Sequence, residues 1–225
     1  MGNTVKEAVE RLRKGLPVFI FDFGSRENEV DMVYYGGRIT SSAITNLRKF
    51  AGGLICFSMP LSVGKALGLR YMDEILRDAG YGKIAGKLLG YGDPPNFSLW
   101  VNHINVITGI RDGDRALTIR ELHRIVEMVL EGREREALEK FNTEFTAPGH
   151  VPVLLGRGLE VRRGHTELSL ALMELAGLSP SSVIAEMLDG EGAMSYEDAR
   201  KVAEKFGSVI IEGAEIIEEW HRKQK

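Results

Sequence analysis

Asp22, Arg26, Glu27, Glu29 and Asp31 follow directly on the apolar run Pro17-Val18-Phe19-Ile20-Phe21. That run reads as a buried strand, so its charges arrive together at one end of the core. If the chain stays extended from Arg26 onward, alternation places Glu27, Glu29 and Asp31 on one side. Carboxylates gathered this closely raise one another's pKa unless something offsets them, and a divalent cation with oxygen ligands does so. The same residues also fit a solvated loop that merely ends a strand, as most charge runs do.

A second cluster, Arg162-Arg163-Gly164-His165-Thr166-Glu167, stands ahead of a strongly apolar helical pattern that stops at Gly177. The open N–H groups of a helix start, the Thr166 hydroxyl and the Arg162 guanidinium suit an anion, phosphate above all. His165 could complete a metal site begun by the acidic stretch, or simply be a histidine bonded near a helix start. His150, in Pro148-Gly149-His150, is either a proton shuttle at the mouth of a strand or a surface turn residue. Glu186 lies in an apolar strand pattern, either on its solvent face or buried with a raised pKa suited to acid–base work. Cys56 reads better as a small core residue than as a nucleophile. His103, His123 and His221 keep no convincing company. No P-loop, GxSxG elbow or thiolate pair competes, so residue chemistry alone points to a metal-assisted enzyme acting on a small phosphorylated substrate.

The elements that must position these groups can be read from patterning. Thr4 with Glu7 predicts a capping box and a helix with the stripe Val5, Ala8, Val9, Leu12, ending near Gly15. Thr40 to Ser42 offer N-caps for a helix through Ile44, Leu47 and Phe50, ahead of a buried strand at 54–57. A short helix is expected at 62–67, and a Gly-rich mobile loop at 80–95 that could close as a lid. A strand is expected from Phe97 on to Ile107, and a helix opened by the box Thr118/Glu121 runs to Gly132. Beyond a charged segment and a polar loop, 151–155 reads as an edge strand because of Pro152. After the helix at 165–177 come strands at 181–188 and 208–211, a helix capped by Ser195, and a polar C-terminal helix over 213–223. The fold class is α/β, a mixed sheet with surrounding helices, as a single domain over residues 1–225.

Composition narrows the function classes. With 225 residues, 44% hydrophobic and 27% charged, the chain is long enough for one sizeable core. A net charge of −3 provides no basic footprint for nucleic acid. No apolar run reaches membrane-spanning length and no signal-peptide core precedes the first helix. The lone Cys56 suits a reducing cytoplasm.

Five segments are more specific: SRENEVDMV at 25–33, GGLICFSM at 52–59, TGIRDGDRALTI at 108–119, PGHVPVL at 148–154 and RRGHTEL at 162–168. In this order, from about Val18 to Phe206, the chain resembles 3,4-dihydroxy-2-butanone 4-phosphate synthase of riboflavin biosynthesis. The resemblance implies a stand-alone cytoplasmic homodimer with active sites built at the dimer interface. It also implies conversion of D-ribulose 5-phosphate to L-3,4-dihydroxybutan-2-one 4-phosphate and formate, with magnesium or manganese, two ions being held when substrate is bound. Glu27 and His165 match the metal ligands, and Glu29 and Asp31 match acid/base or substrate-hydroxyl contacts. Asp22, Arg26 and Glu27 would hold substrate in one loop. Arg162, Arg163, Gly164, His165 and Thr166 match the phosphate-binding run, with Thr108 an extra contact. His150 and Glu186 match the pair essential for catalysis, and Cys56 the cysteine near the reacting carbons. Val30 stands where the family commonly has glycine, Phe23-Gly24-Ser25 replaces acidic residues, and Arg163 replaces a frequent glycine; a GTP cyclohydrolase II domain is not expected. Other readings left open are another metal-dependent pentose-phosphate isomerase or aldolase, and a non-catalytic phosphometabolite-binding protein of the same fold.

Overall fold

The computed structural model describes residues 1–88, 90 and 92–224. Of the expected lid over 80–95, Leu89 and Tyr91 lie outside the described residues. The first half of the chain forms α1 (Asn3–Arg13), β1 (Val18–Phe21), β2 (Val30–Tyr35), α2 (Ser41–Asn46), β3 (Cys56–Pro60), α3 (Leu61–Ala66), α4 (Met72–Leu76) and β4 (Phe97–His103). The second half forms α5 (Asp112–Leu130), α6 (Glu134–Glu144), β5 (Phe145–Gly156), α7 (His165–Leu175), β6 (Ser182–Glu186), a small hairpin β7 (Leu188–Asp189) and β8 (Gly192–Ala193), α8 (Tyr196–Lys205), β9 (Ile210–Glu212) and α9 (Gly213–Gln224).

One seven-stranded mixed sheet, in the order β4-β5-β3-β6-β2-β1-β9, forms the middle layer. Most neighbours are antiparallel, while β3/β5 and β1/β9 are parallel. Strand side chains alternate between its two faces. Phe19, Met32 and Phe57 pack with Ile119, Leu122 and Ile125 of α5 on one face. Ile20, Val33, Cys56 and Ile184 pack with Leu168 and Leu172 of α7 on the other, where α1 and α9 add Leu12 and Ile216. The mixed α/β expectation holds.

Several boundaries differ from the sequence pattern, each for a physical reason. Gly2, not a Thr4 box, caps α1, and its N–H donates to Glu219 Oε1 of α9 at 2.7 Å. Helix α5 starts at Asp112 rather than Thr118; the Thr118 hydroxyl is turned inward to accept from the His103 N–H at 3.1 Å, which also marks where β4 stops, short of Ile107. The charged segment after Gly132 contains α6, which buries only Ala137 and Phe141 and so leaves a weak apolar stripe. Strand β2 is buried on both faces and therefore shows no alternation. Pro152 does not mark an edge. Its strand lies between β4 and β3, and it sits opposite Trp100 at a register shift, where a missing N–H is tolerated.

Candidate active site

The turn between β1 and β2 is built on Asp22. This buried carboxylate accepts from the backbone N–H of Glu27 (3.1 Å) and of Glu29 (3.1 Å), and from Arg26 Nη1 (3.0 Å). Asn28 adopts a left-handed backbone with φ 59°, so the extended alternation expected from Arg26 fails there. Glu27 and Asp31 nevertheless meet at His165, while the Glu29 side chain stays off the cavity. Val30 is an ordinary strand residue, buried and paired with Phe21, so its replacing a glycine costs no backbone strain. Phe23 seats in the apolar layer beneath the start of α9.

His165 is the first residue of α7, and Gly164 is its N-cap. A carbonyl can only accept, so the 3.2 Å contact of Nε2 with the Glu29 oxygen makes Nε2 the donor. Nδ1 then faces Glu27 Oε2 at 3.3 Å and Asp31 Oδ1 at 3.5 Å. A Cβ on Gly164 would lie 2.2 Å from Arg162 Nη1 and 2.8 Å from Arg26 Nη2, so a side chain there would have to displace one or both guanidiniums. Arg162 is buried and bonds Glu167 at 2.7 Å, whereas Arg163 is exposed on an outer cleft shared with Arg26 and Asp93.

A cavity of about 140 Å³ opens among Glu27, Asp31, Arg162, His165 and Thr166, with Cys56 of β3 and Glu186 of β6 also on its wall. Sheet register brings Glu186 directly opposite Asp31, which explains how a residue so far along the chain joins the acidic stretch. Glu186 Oε2 accepts from the Leu54 N–H at 3.0 Å, and a Cβ on Gly53 would come within 2.4 Å of that oxygen, so the Gly52-Gly53 turn is shaped around it.

Charge is distributed unequally among these groups. Burial pushes Asp31 up to about 8, with Glu186 and Glu27 adding to the rise, which favours its protonated form. Burial also opposes ionisation of Glu27, but the hydrogen bond from His165 and the Arg26 charge prevail and hold it at about 2. His165 is raised to about 9 because Asp31 and Glu27 outweigh its own burial. Glu29, half-exposed, is raised by burial and by Glu27. Burial, then Glu186 and Asp31, push the Cys56 thiol well above its usual value.

Donor atoms of Asp22, Glu27 and His165 lie within 4.8 Å of one another. Asp22 is already engaged by three donors, which leaves Glu27 and His165 as the better ligand pair. Carboxylate oxygen with imidazole suits magnesium or manganese. The Nε2–H bond to the Glu29 carbonyl is the kind of outer bond that orients a metal-binding histidine, so the residues fit such an ion. The comparable group His103, Glu121 and Glu144 is charge-balanced by Lys140.

Two expected site residues lie elsewhere. His150 is exposed, its N–H donating to Asn102 Oδ1 at 2.8 Å, and Thr108 belongs to a neighbouring turn whose N–H groups bond Asp114. Neither lines the cavity. Glu29 also stays off its wall and contributes through its carbonyl. Patterning missed Asn96, on the cavity wall, and Asp93, which bonds Arg26 in the adjoining outer cleft. Their signal was Asp93-Pro94-Pro95-Asn96, a stiff extended segment just before β4.

Known proteins resemble this chain along most of its length. The profile of the family described as 3,4-dihydroxy-2-butanone 4-phosphate synthase matches residues 6–219. The 3,4-dihydroxy-2-butanone 4-phosphate synthase of Methanosarcina mazei is 39% identical over 227 residues, 96% of this chain and 90% of that protein. Its counterpart in Methanothermobacter thermautotrophicus is also 39% identical, over 96% of this chain and 95% of that one. A crystal structure of a 3,4-dihydroxy-2-butanone 4-phosphate synthase in complex with two magnesium ions shares the fold, with a TM-score of 0.77 at 24% identity over 99% of each chain.

Proposed function

The chain belongs to the 3,4-dihydroxy-2-butanone 4-phosphate synthase family, and from that premise we propose how its own residues divide the work. It is a lyase of riboflavin biosynthesis that converts D-ribulose 5-phosphate to L-3,4-dihydroxybutan-2-one 4-phosphate and formate. Expelling one carbon as formate requires proton removal beside a carbonyl, loss of water, a skeletal shift and rehydration. Several acid–base groups must therefore surround one substrate.

Glu27 and His165 would hold a magnesium or manganese ion, with a second ion joining when substrate is bound; a structural relative is in complex with two magnesium ions. Bound there, the ion supplies positive charge to the substrate's oxygens. The phosphate rests on the first N–H groups of α7, on Thr166 and on Arg162, with Gly164 keeping the approach open and Arg163 at the rim. Asp22 and Arg26 fix the loop that carries Glu27. Asp31 donates a proton, Glu186 exchanges protons at the reacting carbons, Glu29 orients His165 through its carbonyl with its carboxylate at the edge of the site, and Cys56 packs against them as a neutral thiol.

His150 and Thr108 come from the second subunit of a homodimer. Supporting this, both lie off the cavity, and exposed Ile104, Ile107 and Ile110 flank them. We take residues 1–225 as one domain. No helix among the described residues is long and apolar enough to cross a membrane. The single cysteine suits the cytoplasm, and the net charge of −3 argues against a nucleic-acid partner.

The observation that carries the reading is His165, held between the Glu29 carbonyl and the Glu27 carboxylate at the helix start that also presents Arg162 and Thr166. Purified protein with ribulose 5-phosphate and magnesium should release formate and a four-carbon ketone, both visible by carbon NMR. No formate above a Glu27→Gln control overturns the assignment. A pentose-phosphate isomerase or aldolase would release none, and a mere binder would turn nothing over.

A further inference from the structure

We propose that Glu167 is a positioning residue that holds the Arg162 guanidinium against the phosphate end of the substrate. The inference rests on the site reading above and extends it to a side chain that does not line the cavity.

Glu167 is the third residue of α7 and is buried. That helical position often returns its carboxylate to the N-cap backbone, but here the whole group is drawn sideways. Its Oε2 accepts from Arg162 Nη1 at 2.7 Å. Its Oε1 accepts from Asn96 Nδ2 at 2.7 Å and from the Arg157 backbone N–H at 3.0 Å. The supports are themselves fixed. Arg157 Nε donates to Asn96 Oδ1 at 3.1 Å, and its guanidinium lies 3.7 Å over the Tyr71 ring. A carboxylate with three donors, two of them locked in turn, is a stiff mount for a charged partner.

The opposite edge of that partner is left open. Arg162 Nε is buried and finds no hydrogen-bond partner among the described residues. The nearest carboxylate, Asp93, stands 3.7 Å away and already accepts from Arg26 Nε at 2.8 Å. A buried charged donor left unmet is costly, and sites built for a ligand leave such donors for it. Arg162 faces the same cavity as Thr166 and the first turn of α7, so a phosphate oxygen is the acceptor this edge suits. Glu167 therefore acts through Arg162.

The test is a double-mutant cycle on the full-length enzyme with E167Q, R162A and the combined variant. Turnover of ribulose 5-phosphate and inhibition by inorganic phosphate are measured in each, with circular dichroism for folding and manganese binding by electron paramagnetic resonance. E167Q is expected to raise KM and the phosphate inhibition constant about tenfold, lower kcat less than about threefold and leave manganese binding unchanged. In the R162A background the same change should move KM by less than about twofold, because the group it positions is gone. Equal effects in both backgrounds, or no change in KM and phosphate inhibition, overturn the proposal. If E167Q does not fold, N96A takes its place in the cycle, with a rise of about threefold that must vanish in R162A. No formate from the wild type sinks the site reading and this inference together, whereas formate with equal effects sinks the inference alone.

Discussion

Cys56 sits on the cavity wall beside the residues assigned to acid–base work, yet burial and two neighbouring carboxyls keep its thiol protonated. A buried neutral thiol is a poor nucleophile. Cys56→Ser should therefore lower formate release less than about tenfold, and Cys56 should resist iodoacetamide at pH 8 by mass spectrometry in the native protein. Loss of turnover in a folded Cys56→Ser protein would give the thiol a chemical role. Asn28 and Val30 show that residue type and backbone demand can part company. The family's common glycine falls at position 30, but the left-handed residue is Asn28, two positions earlier. Asn28→Gly should be nearly neutral, while Asn28→Ala should cost about 1 kcal/mol because alanine lacks asparagine's tolerance of that region. Val30→Gly should cost about 2–3 kcal/mol from lost burial and added chain entropy, seen as a melting temperature lower by roughly 4–12 °C. Charged and titratable side chains were legible because their chemistry is carried by residue type. A positive φ at asparagine has no such signature.

Helix α5 begins six residues before the expected cap, and Asp112, its first residue, accounts for part of that. Its carboxylate accepts from Arg48 Nη2 (3.1 Å), Thr45 Oγ1 (2.7 Å) and Arg115 Nη2 (3.0 Å), fastening α2 to the start of α5. An acidic group in the first turn also suits the helix dipole. The Arg48 hydrogen bond is the largest influence holding Asp112 down, at about 2. A depressed carboxylate stabilises the fold above its unfolded pKa and loses that contribution as pH falls through its folded one. Asp112→Ala should thus lower stability near neutral pH, with the difference shrinking below about pH 4, small by pH 2 and gone about one pH unit below that. Arg48 is half exposed, so solvent screens the pair, and the loss is small and falls further in 1 M salt, as urea titrations would show. A constant deficit from pH 7 to pH 2 would mean packing, not charge. Elements with one clean apolar stripe, such as α1 and α8, were legible in the sequence. Strand β2, buried on both faces, and α6, nearly all exposed, were not, because periodicity exists only where one side meets water and the other the core.

At the scale of the whole molecule, the acidic turn and the α7 start converge, while His150 and Thr108 stand off the cavity near the start of α5. Sequence spacing alone could not reveal that separation, because tertiary folding decides which turns border a cavity. Ile107 is 78% exposed, and Ile104 and Ile110 are more than half exposed, a concentration of apolar surface that water does not favour. In the proposed homodimer a two-fold axis would bury this patch and carry each His150 toward the partner's cavity. Ile107→Asp should then shift the protein toward monomer in sedimentation and cut activity in parallel. The sharper experiment mixes two inactive variants, Glu27→Gln and His150→Ala, after dissociating and reassociating them. If each site draws its metal ligands from one chain and its histidine from the other, a mixed dimer has one site with both defects and one with neither. Random assortment then restores about a quarter of wild-type turnover. If both groups come from the same chain, every site keeps one defect and mixing restores nothing.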